Sequence, residues 1–143
     1  MHTIFITGGT GCIGSVTIYK LLQSKEVGKI VIASRSNNAD PLKLWLGEDL
    51  DQRLEFVTLD VADYDDIEKV IMKVNPTHII HLGAYQSPDC SKYHIRGMEI
   101  NTGGTMALFD VAEKLPNLKR FVFASSAAVY GMRAMYPEPG IKE

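Results

Sequence analysis

The sequence predicts an α/β protein whose core is one doubly wound parallel sheet. Five short apolar runs rich in β-branched residues alternate with segments of helical periodicity, an order typical of a parallel sheet with helices on both faces. A glycine-rich turn joins the first run directly to the first helix. With 143 residues, of which 45% are hydrophobic and 22% are charged, the chain has the size and composition of one globular domain.

The glycine-rich turn follows a strand at Ile4–Ile6. Gly8, Gly11 and Gly14 have GxxGxxG spacing, and helical periodicity begins directly after them. Gly8 is expected to turn the chain off the strand, Gly11 to admit a pyrophosphate to the backbone, and Gly14 to let the helix pack closely against the sheet. The helix N-terminus adds a positive dipole end. The pattern predicts a Rossmann-like dinucleotide-binding turn; the alternative is a βα turn without a ligand.

The second strand, at 29–33, ends where a dinucleotide domain selects its cofactor. In such domains a carboxylate about 20 residues after the glycine motif binds the ribose 2′-hydroxyl of NAD. Here Ser34 stands at that distance from Gly14 and Arg35 follows it, so no carboxylate is present. Because a guanidinium offers planar donors to a phosphate group, the sequence favours NADP over NAD. The alternative is that Arg35 is a solvated loop residue.

The middle of the chain predicts a short helix, a third strand at 54–59 and a helix at 64–74. Asp40 and Pro41 are typical of a helix start, and this helix is expected to run through Leu50. The apolar residues of this helix are expected to pack on its buried side; they are Leu42, Leu44, Trp45, Leu46 and Leu50. Asp60 is placed to accept a hydrogen bond from an adenine amino group or to cap the next helix, although Asp63 is the better cap.

The rest of the chain predicts a fourth strand at 77–82, a polar loop at 87–93 and a long helix at about 95–114. A fifth strand at 118–124 and a loop at 132–143 are expected after that helix. His78 and His81 accompany the fourth strand, where a histidine is more often a bonded core residue than a catalyst. Gly103 and Gly104 interrupt the long helix at a cost of about 1 kcal/mol each relative to alanine, so a close approach to the sheet or a cofactor is expected there.

The expected order of the five strands in the sheet is 3-2-1-4-5, with ligands bound at the carboxyl ends of the strands.

Composition and charge exclude several classes of partner. The net charge of −2 gives no reason to expect nucleic acid or an anionic membrane surface. No apolar run approaches the length of a membrane span, and no signal peptide is recognisable. Cys12 and Cys90 have neither CxxC nor metal-site spacing. We therefore expect reduced thiols, a cytoplasmic protein and no metal.

Several short motifs occur along the chain in the order in which one known protein family has them. They are TGGTGCIG at 7–14, Asp60–Val61, HLGA at 81–84, Asn101 with Gly104–Thr105, and SSAAVYG at 125–131. Together they resemble the extended short-chain dehydrogenase/reductases, the group of NAD(P)-dependent nucleotide-sugar epimerases and dehydratases. The resemblance extends over the whole chain.

The resemblance implies a role for each matched residue. The pyrophosphate would be bound by the turn residues Gly8, Thr10, Gly11, Cys12, Ile13 and Gly14. Asp60 and Val61 would bracket the adenine. The cofactor riboses would meet the backbone of Leu82, Gly83 and Ala84, and Asn101 would brace the fourth strand near the active site.

The resemblance also implies a catalytic serine, Ser126, with Ser125 as the second candidate. Its hydroxyl would donate a hydrogen bond to the substrate oxygen that alternates between alcohol and ketone, and that gains negative charge as hydride arrives. The alternative is that both serines merely end the fifth strand.

One part of the family pattern is missing. Its general acid/base is a tyrosine followed four residues later by a lysine that lowers the pKa of the phenol, and none of the 6 tyrosines here has a lysine at that position. The sixth strand and the substrate-binding C-terminal region of the pattern are absent too. We therefore expect residues 1–143 to be an incomplete Rossmann domain, the N-terminal half of such an enzyme, without turnover on its own.

The expected function is that of the NADP-binding portion of a nucleotide-sugar epimerase or dehydratase, which works by transient hydride transfer. The alternatives are a non-catalytic dinucleotide-binding module, and the same family acting on another small ketone or alcohol. The resemblance is also compatible with a homodimer, since relatives commonly pair through the long helix at about 95–114. The fifth strand is expected to present an unpaired edge.

Overall fold

The computed structural model describes residues 1–36 and 38–131. Its centre is a sheet of five strands: His2–Thr7 (β1), Val27–Ser34 (β2), Leu54–Thr58 (β3), His78–His81 (β4) and Arg120–Phe123 (β5). All neighbouring strands are parallel, and their order is β3-β2-β1-β4-β5. The predicted parallel sheet and its strand order are confirmed.

Helices connect the strands: Cys12–Leu22 (α1), Asp40–Leu46 (α2), Tyr64–Val74 (α3), Asp89–Lys92 (α4), His94–Met98 (α5) and Gly104–Glu113 (α6). A π-helical segment, Glu99–Gly103, joins α5 to α6 into the predicted long helix, and a 3₁₀ turn, Ala127–Tyr130, follows β5. The short helix α4 replaces part of the loop predicted at 87–93, while the loop predicted at 132–143 lies outside the described residues. Within the described ranges, no helix has the length and apolar character needed to cross a membrane.

The core lies on both faces of the sheet, because successive residues of a strand point in opposite directions. From β1, Phe5 packs with residues of α3 and α6 on one face, whereas Ile4 and Ile6 pack with residues of α1 and α2 on the other. The helical residues buried in these clusters are Ile67, Ile71, Leu108 and Val111 on the first face, and Ile18 and Leu42 on the second. Helices therefore cover both faces, as in a doubly wound fold.

The limits of α2 differ from the sequence prediction. Ala39 rather than Asp40 occupies the N-cap position, and Asp40 is the first helical residue. The helix ends at Leu46 rather than Leu50, because Gly47 leaves the helical conformation with φ of 80° and ψ of −176°, which glycine adopts readily. Such a glycine commonly terminates a helix.

The predicted packing beneath α2 is only partly correct. Leu42 is buried, and Leu46 and Leu50 pack at the edge of the same core cluster. Leu44, by contrast, is 86% exposed, and Trp45 is 48% exposed. A helix of 7 residues presents only one narrow stripe to the sheet, so the predicted burial of Leu44 was wrong.

The two glycines of the long helix have different surroundings. A Cβ atom on Gly104 would lie 2.3 Å from the carbonyl oxygen of Val61, which is a backbone atom of the segment just after β3. A Cβ atom on Gly103 would meet nothing closer than the carbonyl oxygen of Met98, at 3.9 Å. The predicted close approach is therefore confirmed for Gly104 but not for Gly103.

Alanine substitutions at these neighbouring positions are expected to have opposite effects on stability. Gly103→Ala should raise the free energy of unfolding by up to about 1 kcal/mol, because alanine favours the helix. Gly104→Ala should lower it by about 2 kcal/mol, because the helix must move away from Val61. Urea unfolding of both variants measures the difference, and equal effects would contradict the close packing of Gly104.

Candidate functional site

The candidate site lies at the carboxyl ends of the strands, where the order changes direction between β1 and β4. Two cavities open there. The β2-side cavity, of about 370 Å³, extends over the ends of β1, β2 and β3, and the β5-side cavity, of about 700 Å³, extends over the ends of β1, β4 and β5. Gly8, Gly11 and residues 82–86 line both of them. The glycine turn therefore lies at the border between the two cavities.

The structure brings the predicted site residues together around these cavities. Those that line the β2-side cavity are Gly8, Thr10, Gly11, Ser34, Arg35, Asp60 and Val61. Those that line the β5-side cavity include Cys12, Ile13, Gly14, Asn101, Ser125 and Ser126. Leu82, Gly83 and Ala84 line both. The cofactor and catalytic candidates thus surround one region of the fold.

A third groove, of about 810 Å³, lies at the amino ends of β2 and β3 and contains none of the predicted site residues. Arg53 is its most connected side chain. The guanidinium pairs with Asp51 at 2.7 Å and donates to the carbonyl oxygens of Leu22 and Val27, at 2.7 and 3.1 Å. These bonds connect the end of α1 to the sheet. The contacts of Arg53 therefore indicate a structural role for the residues of this groove.

The glycine turn is tight because Gly8 has φ of 70°. A Cβ atom there would lie 2.7 Å from the backbone nitrogen of Gly83. The N–H of Gly11 donates to the carbonyl oxygen of Gly8 at 3.0 Å, and Gly11 then forms the N-cap of α1. The first turn of α1 carries no acidic residue. Its N–H groups and the helix dipole therefore present an uncompensated positive end to the cavities.

Gly14 also allows a close approach, but the neighbour is not the one expected from the sequence. A Cβ atom on Gly14 would lie 2.3 Å from the carbonyl oxygen of Gly8 and 2.6 Å from the Cα atom of Gly9. The third glycine thus packs α1 against its own turn rather than directly against the sheet. Gly9, which the GxxGxxG spacing leaves out, is close to side chains of the core, with Ile32 at 2.9 Å from its Cβ position.

The end of β2 places a cation at the wall of the β2-side cavity. Arg35 Nη1 donates to the hydroxyl of Tyr85 at 3.1 Å, and the guanidinium carbon lies 5.2 Å from the centre of the tyrosine ring. The Ser34 hydroxyl donates to the backbone carbonyl of Ser36. Arg35 is therefore held by a specific partner, and Tyr85 is a residue that the sequence motifs did not single out.

Asn101 holds Tyr85 through the backbone. Its side-chain oxygen accepts from the Tyr85 N–H at 2.7 Å, and its side-chain nitrogen donates to the Tyr85 carbonyl oxygen at 2.9 Å. The Cys90 thiol also donates to that carbonyl oxygen, at 3.3 Å. Asn101 lies in the π-helical segment, a feature often found at functional sites. The structure thus makes Asn101 a clamp for the chain after β4.

Asp60 follows β3 and lines the β2-side cavity. Its Oδ1 accepts from the backbone N–H of Ala62 at 3.0 Å, and its Oδ2 forms an ion pair with Arg96. The helix cap is instead Asp63, whose Oδ1 accepts from the Asp66 N–H at 3.0 Å, as expected. Arg96, like Tyr85, was not singled out from the sequence.

His81 is a buried and fully bonded residue, with 2% of its surface exposed. Its Nδ1 lies 2.6 Å from the hydroxyl oxygen of Thr7, and its Nε2 lies 3.0 Å from that of Thr105. Thr105 donates its own proton to the carbonyl oxygen of Asn101 at 2.8 Å, so Nε2 carries the proton of a neutral imidazole and Nδ1 accepts from Thr7. Burial lowers the pKa of His81 to about 4. This agrees with a core role rather than catalysis.

Ser125 and Ser126 lie between β5 and the 3₁₀ turn, on the wall of the β5-side cavity. The carbonyl oxygen of Ser126 accepts from the Val129 N–H at 3.2 Å, which starts the turn. Cys12 and Ile13 face the same cavity and are exposed. The described residues contain no cluster of three or more histidine, cysteine, aspartate or glutamate side chains able to hold a metal ion.

Comparison with known families agrees with this arrangement. The model of the NAD dependent epimerase/dehydratase family matches residues 4–142. The chain belongs to this family. The match extends from β1 past the 3₁₀ turn and includes all of the predicted site residues.

Individual proteins of known identity or structure are similar to this chain as well. The chain is 33% identical over 140 residues to UDP-glucose 4-epimerase 3 of Oryza sativa subsp. japonica, covering 94% of this chain and 37% of that enzyme. The crystal structure of Bordetella bronchiseptica WbmH in complex with NAD+ has a TM-score of 0.74 at 26% identity, covering 92% of this chain and 41% of WbmH.

Bordetella bronchiseptica WbmG, solved in complex with NAD and UDP, has a TM-score of 0.74 at 27% identity, over 95% of this chain and 41% of WbmG. The chain thus spans about two fifths of the length of these proteins.

Proposed function

We propose that this chain binds a nicotinamide dinucleotide as the cofactor-binding part of an epimerase or dehydratase that acts on a nucleotide sugar. The proposal rests mainly on the turn between β1 and α1. The turn leaves backbone N–H groups available to bind an anion where the two cavities meet. The complexes of WbmH with NAD+ and of WbmG with NAD and UDP support the choice of cofactor and of substrate class.

The residues around the cavities suit such a cofactor. The turn at Gly8 and Gly11 and the first turn of α1 would hold the pyrophosphate, since no acidic side chain opposes its charge there. Asp60 and Val61 would hold the adenine. The backbone at 82–84 would contact the riboses, and it lines both cavities.

The bound cofactor would supply a hydride acceptor and donor for the transient oxidation of the sugar. The contribution of this chain is position and charge. Ser126, with Ser125 as the second candidate, would donate a hydrogen bond to the substrate oxygen as it gains negative charge. Both serines share the wall of the β5-side cavity with the glycine turn, which supports this assignment. Since none of the 6 tyrosines is followed by lysine at the fourth position, we propose binding without turnover for these 143 residues.

We further propose that NADP is preferred over NAD. The sequence from Ala33 to Ser36 contains no carboxylate that would bind a 2′-hydroxyl or repel a 2′-phosphate. Arg35 lies on the cavity wall, and its bond to the Tyr85 hydroxyl leaves other guanidinium N–H groups for a phosphate. Asp60, a carboxylate that also lines this cavity, is ion-paired with Arg96.

Removal of the Arg35 guanidinium tests this preference. Arg35→Ala should weaken NADP binding about tenfold, the effect of losing one charge-assisted contact to phosphate, and should change NAD binding less than about twofold. Calorimetric titration with NADP and with NAD measures the change in affinity for each cofactor. Arg120→Ala, which removes an exposed cation from the other end of the sheet, is the matched control. Equal losses for both cofactors, or a wild-type preference for NAD, would overturn the proposed selectivity.

A further inference from the structure

We infer that Arg96 is a positioning residue for the adenine end of the cofactor site, where it orients the carboxylate of Asp60. This inference rests on the proposed dinucleotide-binding function. Arg96 lies in α5, one turn before the π-helical segment, and Asp60 follows β3, 36 residues earlier. The structure joins them by an ion pair between Arg96 Nη2 and Asp60 Oδ2.

The two oxygens of Asp60 have separate partners. Oδ1 accepts from the backbone N–H of Ala62 at 3.0 Å, whereas Oδ2 is bound by Arg96. Together, the two bonds fix the plane of the carboxylate, which neither bond alone can do. A carboxylate oxygen has two lone-pair sites, so each oxygen keeps one for a further donor. The exocyclic amino group of adenine is a donor that suits such a site.

Arg96 is itself held in place. Its Nη1 donates to Glu99 at 3.1 Å, three residues further along the same helix. The Asp60 and Arg96 side chains are about two fifths exposed, at 38% and 37%. Both line a second, smaller opening beside the β2-side cavity, together with Asp63 and Asp65. Without Arg96, Asp60 would face these other carboxylates and would be free to rotate towards solvent.

The consequence is a specific link between Arg96 and one functional group of the ligand. If Arg96 acts only through its charge, its removal should weaken every dinucleotide equally. If it acts by orienting Asp60, its removal should weaken only ligands that carry the adenine amino group. The geometry, with Arg96 bound to one carboxylate oxygen of a residue that lines the β2-side cavity, points to the second effect.

The test compares NADP with its analogue in which adenine is replaced by unsubstituted purine, which lacks the amino group. Wild-type protein should bind NADP about tenfold more tightly than the purine analogue. Arg96→Ala should bind both ligands with nearly equal affinity, and Arg96→Lys should restore part of the difference. Arg120→Ala, which removes an exposed arginine from the amino end of the sheet, is the matched control and should keep the wild-type preference. Thermal unfolding verifies that each variant is folded.

The outcomes separate the inference from the function on which it rests. An Arg96→Ala variant that keeps the full preference for NADP over the purine analogue overturns the inference, even if both affinities fall. A wild-type protein that binds both ligands equally overturns it as well, since Asp60 then does not recognise the amino group. A folded wild-type protein that binds neither ligand overturns the proposed function, and the inference with it.

Discussion

Replacement of Gly14 by alanine is expected to weaken dinucleotide binding about a hundredfold and to destabilise the fold. A Cβ atom at this position would lie 2.3 Å from the carbonyl oxygen of Gly8 and 2.6 Å from the Cα atom of Gly9. Because both neighbours are backbone atoms, α1 or the turn must move, and overpacking of this kind costs about 1–3 kcal/mol. The displaced N–H groups no longer converge on a pyrophosphate, and loss of two such bonds corresponds to about a hundredfold in affinity.

Gly11→Ala separates binding from folding. A Cβ atom at Gly11 would lie 3.3 Å from the carbonyl oxygen of Gly8, a contact that a small shift relieves, so the fold should persist. The same methyl group would stand where the pyrophosphate approaches the backbone. We expect an affinity loss of at least about tenfold with little change in unfolding.

Calorimetric NADP titration and urea unfolding of both variants measure these effects. Gly103→Ala, whose Cβ atom would be 3.9 Å from its nearest neighbour, is the control with unchanged affinity. Wild-type affinity in Gly14→Ala would contradict the assigned role of the turn.

Acidification from pH 7 to pH 4 is expected to destabilise the protein through His81. Burial lowers the pKa of this residue from 6.5 to about 4. Because the folded-state pKa lies below the unfolded-state value, the unfolded chain binds the proton first as the pH falls. The stabilisation by the neutral ring is therefore complete above about pH 6.5 and is lost towards pH 4. The pKa difference corresponds to about 3 kcal/mol of the free energy of unfolding.

A His81→Gln variant isolates this contribution, since its amide keeps a donor and an acceptor but does not titrate. Urea unfolding at pH 7 and pH 4 should show that the wild type loses about 3 kcal/mol more than the variant. His78, whose pKa is also lowered by burial, is present in both proteins and cancels. Parallel losses would refute the assignment. Should the variant not fold, an NMR titration of the wild-type His81 ring replaces the comparison, and a pKa near 6.5 would be the contradicting result.

The parts of the fold that were predictable from sequence are those with local causes. Apolar runs of strand length predicted all five strands, and the alternation with helices predicted their order. The glycine spacing predicted the turn, because the turn needs a positive φ at Gly8 and leaves no room for a side chain at Gly14. The burial of His81 followed from its place in an interior strand of the sheet.

The parts that were not predictable depend on distant partners. Arg96 meets Asp60 across 36 residues, and Arg35 meets Tyr85 across 50 residues, so no local pattern indicates either pair. The exposure of Leu44 depends on which face α2 turns towards the sheet, and the end of α2 depends on the conformation of Gly47. Element boundaries and side-chain partners both require the tertiary structure.

A titration of the wild-type 143-residue chain with NADPH, monitored by nicotinamide fluorescence, tests the dinucleotide site directly. We expect saturable binding at one site per chain, displacement by NADP, and an affinity at least about tenfold weaker in Gly11→Ala. A chain that is folded by circular dichroism but shows no saturable binding up to about 1 mM, the weak end of cofactor affinities, would contradict the central claim that the glycine turn is a dinucleotide site.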